Sequence, residues 1–188
     1  DNAGGATTTA SSNTAVGASA LLVNSTGANN TAIGYASLAA NTTAANNTAV
    51  GSSALSATTT GASNVGIGYL ALADNSTGAS NVAMGHSALG VNTTASNNTA
   101  LGHGAMIANT TGAGNVAVGQ ASLDANTTAA NNTAVGSRSL TTNSTGASNV
   151  ALGRDALYAN TTADNNTAVG YASLTANTTG ASNTGIGF

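Results

Sequence analysis

Eleven asparagines stand at an unbroken interval of 17 residues: Asn13, Asn30, Asn47, Asn64, Asn81, Asn98, Asn115, Asn132, Asn149, Asn166 and Asn183. Each opens a pentad such as NTAVG, NTAIG, NVGIG or NVAMG, and no insertion disturbs the spacing anywhere. A fixed period of this size marks a stacked array, in which one repeat is one structural unit that buries its apolar side only against its neighbours.

Two columns of the repeat carry nearly all the bulk. One is the aliphatic residue of the pentad: Val16, Ile33, Val50, Ile67, Met84, Leu101, Val118, Val135, Leu152, Val169 and Ile186. The other is Leu21, Leu38, Leu55, Leu72, Leu89, Met106, Leu123, Leu140, Leu157 and Leu174. Both are expected to form core ladders. The remainder of each unit is Gly, Ala, Asn, Ser and Thr, residues that weaken a helix or compete for its backbone bonds. Strands fit better. Thr or Val stands two residues before the aliphatic position, which puts both on one face and Ala on the other. Each unit then reads as two short strands, the pentad and the stretch around Leu, joined through the Gly and through the Asn-Thr-Thr segment. Stacked in register at about 4.8 Å per turn, identical Asn and Thr residues can form hydrogen-bonded ladders. The expected fold is all-β: a parallel β-solenoid of eleven 17-residue turns, with residues 1–12 as a degenerate first turn and 13–188 as the array.

Two aliphatic side chains in 17 residues make a thin core, so a second layer of burial against other copies is expected, with a trimer about the rod axis and the Ala and Gly surface as its contact. Composition narrows the partners. Only 4% of residues are charged, with two Arg, five Asp and no Lys, so nothing can neutralise a run of phosphates and nucleic acid is not an expected partner. No apolar run approaches the roughly 18 residues of a membrane-spanning helix.

The same poverty bears on chemistry. Hydrolysis needs a nucleophile beside a base or a pair of carboxylates, and Asp1, Asp74, Asp124, Asp155 and Asp164 form no acidic ladder. His86 and His103 share a phase one turn apart, but two ligands without a third make a poor metal site. The reading is a non-enzyme with no catalytic residue, no metal site and no cofactor.

The pentads followed by YASL at 35–38 and 171–174, GHSAL at 85–89 and ANTT at 40–43, 125–128 and 176–179 resemble the YadA-like head repeats of trimeric autotransporter adhesins and the related repeats of bacteriophage tail fibres. The likeness covers residues 13–188. It implies a left-handed β-roll, a homotrimer, and a place in an extracellular fibre on a cell surface or virion that adheres or displays. The adhesin repeat is typically shorter, and the extra length here falls in the Asn-Thr-Thr segment.

On such a fibre, the residue after the pentad Gly is the most varied bulky position, and a core would not accept its members interchangeably. Tyr35, Tyr69, His86, His103, Gln120, Arg154 and Tyr171 are therefore the candidate recognition surface, with a host-surface or matrix ligand as the expected partner. An ice-binding solenoid is the alternative, because Thr26, Thr43, Thr60, Thr77, Thr94, Thr111, Thr128, Thr145, Thr162 and Thr179 form an uninterrupted column. Asn24, Asn41, Asn75, Asn92, Asn109, Asn126, Asn143, Asn160 and Asn177 sit in Asn-x-Ser/Thr sequons, and their fixed spacing suggests a structural cause rather than glycosylation. Asp1 and Phe188 occupy the same phase, so the solenoid is expected to continue at one or both ends, as part of a longer fibre or by head-to-tail stacking of subunits into a filament, beside or instead of trimerisation.

Overall fold

The computed structural model describes residues 2–5 and 9–188. Residues 1 and 6–8, which belong to the expected degenerate first turn and include Asp1, lie outside the described residues. Each period contributes one strand of three residues. These are β1 (Thr14–Val16), β2 (Thr31–Ile33), β3 (Thr48–Val50), β4 (Val65–Ile67), β5 (Val82–Met84), β6 (Thr99–Leu101), β7 (Val116–Val118), β8 (Thr133–Val135), β9 (Val150–Leu152), β10 (Thr167–Val169) and β11 (Thr184–Ile186). They pair in chain order, all parallel, each residue with its equivalent one period on: Thr14 with Thr31, Ala49 with Gly66, Met84 with Leu101. The chain is a parallel β-solenoid of about ten turns.

The stretch around Leu is not the second strand that the sequence suggests. It is a run of turns, because two positions in it hold a left-handed backbone, as in Ala36 (φ 52°) and Leu38 (φ 48°), or Ser87 (φ 54°) and Leu89 (φ 50°). The turns are nonetheless stitched to one another: Leu38 N–H donates to the Ala54 carbonyl and Leu55 N–H to that of Ala71, both at 3.0 Å. Left-handed φ is worst for side chains branched at Cβ, and this column contains Leu and one Met but never Val or Ile. Each pentad Gly turns the corner with φ between 120° and 137°. A Cβ on Gly68 would stand 2.6 Å from the Gly85 carbonyl oxygen, so the corner excludes every other residue.

One core expectation is overturned. The Leu column is buried, but Val16, Ile33, Val50, Ile67, Met84, Leu101, Val118, Val135, Leu152, Val169 and Ile186 are not core; they face outward, half-buried or exposed, with Ile33, Met84, Leu101, Val135 and Leu152 at 37–45%. The period-two pairing with Thr or Val is present on the opposite side from the one expected. Inside lie Ala32, Ala49, Ala83, Ala100 and their equivalents, fully buried. The reason is space: a Cβ placed on Gly66 would meet Leu55 Cγ at 3.1 Å, so the Leu column leaves room for a methyl and nothing larger. The Ala surface is consequently the core, and is not available as a contact between chains.

Two buried Asn columns tie the turns together. Asn98 N–H donates to Asn81 Oδ1 at 2.9 Å, and Asn81 Nδ2 donates to the Ala95 carbonyl at 2.8 Å. In the second column Asn92 Nδ2 donates to Asn75 Oδ1 at 2.8 Å and to the same Ala95 carbonyl at 3.0 Å. That carbonyl thus serves both columns. The second column holds the sequon asparagines named above, Asn24 through Asn177; all but Asn177 are fully buried, with their amides committed to this ladder. Beside it, the hydroxyls of Ser25, Thr42, Thr93 and Thr110 donate hydrogen bonds to carbonyls of the next turn at 2.9–3.2 Å.

Among the described residues the second column has one break. Thr58 stands where the other turns carry Asn, and Asn41 Oδ1, Asn47 Nδ2 and Thr58 Oγ1 are all buried without a hydrogen-bond partner. Replacing Thr58→Asn restores a donor for Asn41 and is expected to stabilise the fold by about 1–3 kcal/mol, read as a rise in thermal midpoint. The Leu column gives a second test. Leu89→Met should cost less than about 1.5 kcal/mol. Leu89→Val, which adds Cβ branching at a left-handed φ, should cost about 2–3 kcal/mol in the same thermal unfolding experiment.

Candidate recognition surface

The residue after each pentad Gly emerges at the corner that the glycine makes, and turn-on-turn register lines these residues into a column. Tyr35, Tyr69, His86, His103, Gln120, Arg154 and Tyr171 are all exposed, Tyr35 at 63% the most open of the tyrosines. The structure gathers most of them into two groups. Tyr69 and His86 have ring centroids 5.2 Å apart and tilted by 44°, and His86 and His103 are stacked at 5.0 Å and 19°. Further along, Arg154 Cζ lies 5.8 Å from the Tyr171 ring centroid, and Tyr171 stacks on Phe188 at 5.3 Å and 18°. Between the groups Gln120 accepts from Ser137 Oγ at 3.4 Å, and Tyr35 is separated from Tyr69 by Ser52. In the stacked rings the faces are turned toward each other, which leaves edges, ring nitrogens and phenol oxygens for an incoming ligand.

Three residues belong to this surface that the column alone does not contain. Arg138 Nη2 lies 2.8 Å from Asp155 Oδ1, Arg154 Nε lies 3.2 Å from Asp155 Oδ2, and Arg138 Cζ sits 5.5 Å from the Tyr158 ring centroid. Arg138 and Asp155 are 17 residues apart with opposite charge, a signal present in the sequence once phase is read for charge as well as for bulk. Tyr158 gives no such signal, since it reaches Arg138 from another part of the next turn.

The other carboxylates have separate fates. Asp164 Oδ1 accepts the Ala147 N–H at 2.7 Å and is part of the turn stack; Asp74 is exposed. It borders a cavity of about 250 Å³ walled by Leu70, Ala73, Val91 and Ile107, which opens where Gly90 supplies no side chain. That is below the usual range for ligand pockets, about 300–1,000 Å³. Among the described residues no three His, Cys, Asp or Glu side chains come together as a metal-binding group. Nor, among the described residues, is any helix long and apolar enough to cross a membrane.

Compared with protein-family models, curated proteins and solved structures, the chain has no match.

Desolvation pushes the Asp124 carboxyl above its ordinary value of 3.8. The folded chain holds that proton more tightly than the unfolded chain does, so this group's contribution to stability falls as pH rises from about 3.8 through the raised value and is level above it. Asp124→Asn should remove that decline from a curve of thermal midpoint against pH.

Proposed function

We propose that the chain is a segment of an extracellular structural or adhesive fibre, on a cell surface or a virion, which associates with copies of itself through the outer face of its sheet and displays the aromatic corner column. The observation that carries the reading is the apolar character of that outer face. Its two columns, Thr or Val and then Val, Ile, Leu or Met, run the length of all eleven strands. At about 4.8 Å per strand and two residues across, they cover a flat strip about 50 Å long and on the order of 500 Å². The aliphatic column supplies the apolar part of that strip and Thr at seven strands the rest, on the scale of the largest apolar patches that monomers expose. Covering it with equivalent strips of other copies gives a closed, symmetric assembly. Three copies is the number implied by the likeness to trimeric adhesin head repeats. The corner column, lying off the outer face, stays free to meet a host surface or matrix.

Ice binding is the competing proposal, supported by the exposed Thr column from Thr26 to Thr179. The hydroxyls of the column beside it are committed to backbone carbonyls, so this is one column rather than an array of two. Thermal hysteresis at micromolar chain concentration would favour it over the fibre.

Light scattering checks the assembly: the expected mass is three times 17.6 kDa. Leu101→Asp with Val135→Asp, on the outer face, should return the mass to one chain while leaving the far-ultraviolet dichroism of the β-fold in place. A wild-type chain that is monomeric at all concentrations sinks the self-association reading. For display, replacing Tyr35, Tyr69 and Tyr171 together by Ser should leave the mass unchanged and lower adhesion several-fold.

A further inference from the structure

Both cations of the chain converge on one carboxylate. Arg138 donates to Asp155 Oδ2 at 3.0 Å and lies 2.8 Å from Oδ1, while Arg154 Nε is 3.2 Å from Oδ2. Asp155 is buried, whereas the side chains of Arg138 and Arg154 are 44% and 60% exposed. Two positive charges on one negative leave a local excess of one, in a chain whose net charge is −3. A second guanidinium on a carboxylate that is already paired brings like charges together, and exposed ion pairs contribute little to stability. The arrangement is poorly explained as a device for holding the fold.

It is well suited to holding an anion. Each guanidinium carries five N–H donors in a rigid fork, and Asp155 engages only part of the two sets. Tyr158 and Tyr171 lie against the guanidinium groups, with Cζ 5.5 and 5.8 Å from the ring centroids. Tyr171 is in turn backed by Phe188. With its ring between Arg154 and Phe188, Tyr171 offers the patch its edge and phenol hydroxyl rather than an apolar floor, and Tyr158 beside Arg138 adds a second phenol. An occupant that combines a carboxylate with hydroxyl groups matches these donors. A nucleic acid fits worse, since its closely spaced phosphates demand several cations.

We infer that Arg138, Arg154, Tyr158 and Tyr171 form a binding site for an acidic saccharide, with Arg154 as the principal contact to its carboxylate and Asp155 as the residue that positions both guanidinium groups. The inference rests on the display role of the corner column and names the ligand class for one end of it.

The test is calorimetric titration of the whole chain with a glucuronic-acid oligosaccharide, with a neutral glucose oligosaccharide of equal length, and with inorganic phosphate. Arg154→Gln is the variant, because Arg138 still pairs Asp155 and the exposed position leaves the fold intact; its thermal midpoint is recorded alongside. The acidic oligosaccharide should bind saturably, at least 10-fold more weakly to Arg154→Gln and progressively more weakly as salt rises, with no measurable binding of the neutral sugar. Arg154→Lys should recover only part of the loss, since a point charge replaces the fork. Equal binding of the neutral sugar, equal binding to Arg154→Gln, or phosphate binding as tightly as the oligosaccharide overturns the inference, the last meaning an adventitious ion only. A chain that is trimeric, adheres through its tyrosines and ignores acidic sugars keeps the fibre reading and loses this one.

Discussion

Everything in this molecule depends on the amide of a buried asparagine bonding to the turn beside it. The two inner Asn columns fill side-chain acceptors with backbone and side-chain N–H groups one period away, and both return a donor to a single carbonyl of their own turn. A buried amide left unpaired costs about 1–3 kcal/mol, so the ladder enforces its spacing at every rung. One residue more or less in any turn would misplace the amides there. That is the physical content of a 17-residue interval kept without interruption, and it explains why so polar a residue occupies the interior at all.

Around that ladder, inner and outer positions obey different rules. Inner columns are fixed by space: methyl opposite leucine, leucine or methionine at a left-handed φ, glycine where one turn's corner presses on the next. Outer columns are limited only by what solvent or a partner accepts. Tyr, His, Gln, Arg and Ser therefore follow one another at the corner while the backbone beneath them repeats unchanged. The scaffold turns a sequence of side chains into a line of chemical groups, and neighbours in that line stack.

The period, the parallel stack and the buried Leu column could be read from the residues, because register and periodicity follow from spacing. Which face of a three-residue strand turns inward could not. Alternation separates Ala49 from Thr48 and Val50 but does not say which side faces the core, and bulk argues for Val50. The answer lies in how far Leu55 reaches across the interior, a distance that no pattern within one repeat encodes. The Leu stretch departs from the expected strand for a related reason. Left-handed φ at Ala36 and Leu38 comes from closing a narrow turn, and neither residue advertises it, although the absence of Val and Ile from the Leu column is its trace. At the surface, the exposed column was legible from its variety, and the Arg138–Asp155 pair from its phase. Tyr158 depends on the path of the turn and is visible only in three dimensions.

The break at Thr58 has a mechanical meaning. Bonds between turns run along the rod, so a pull on its ends loads the rungs in series, and a chain of springs in series parts at its weakest member. Every neighbouring rung of the second asparagine column is held by an amide that Thr58 lacks, and three polar atoms around it have no bond to lose. Under tension the rod opens first at that turn, which makes the threonine a fuse.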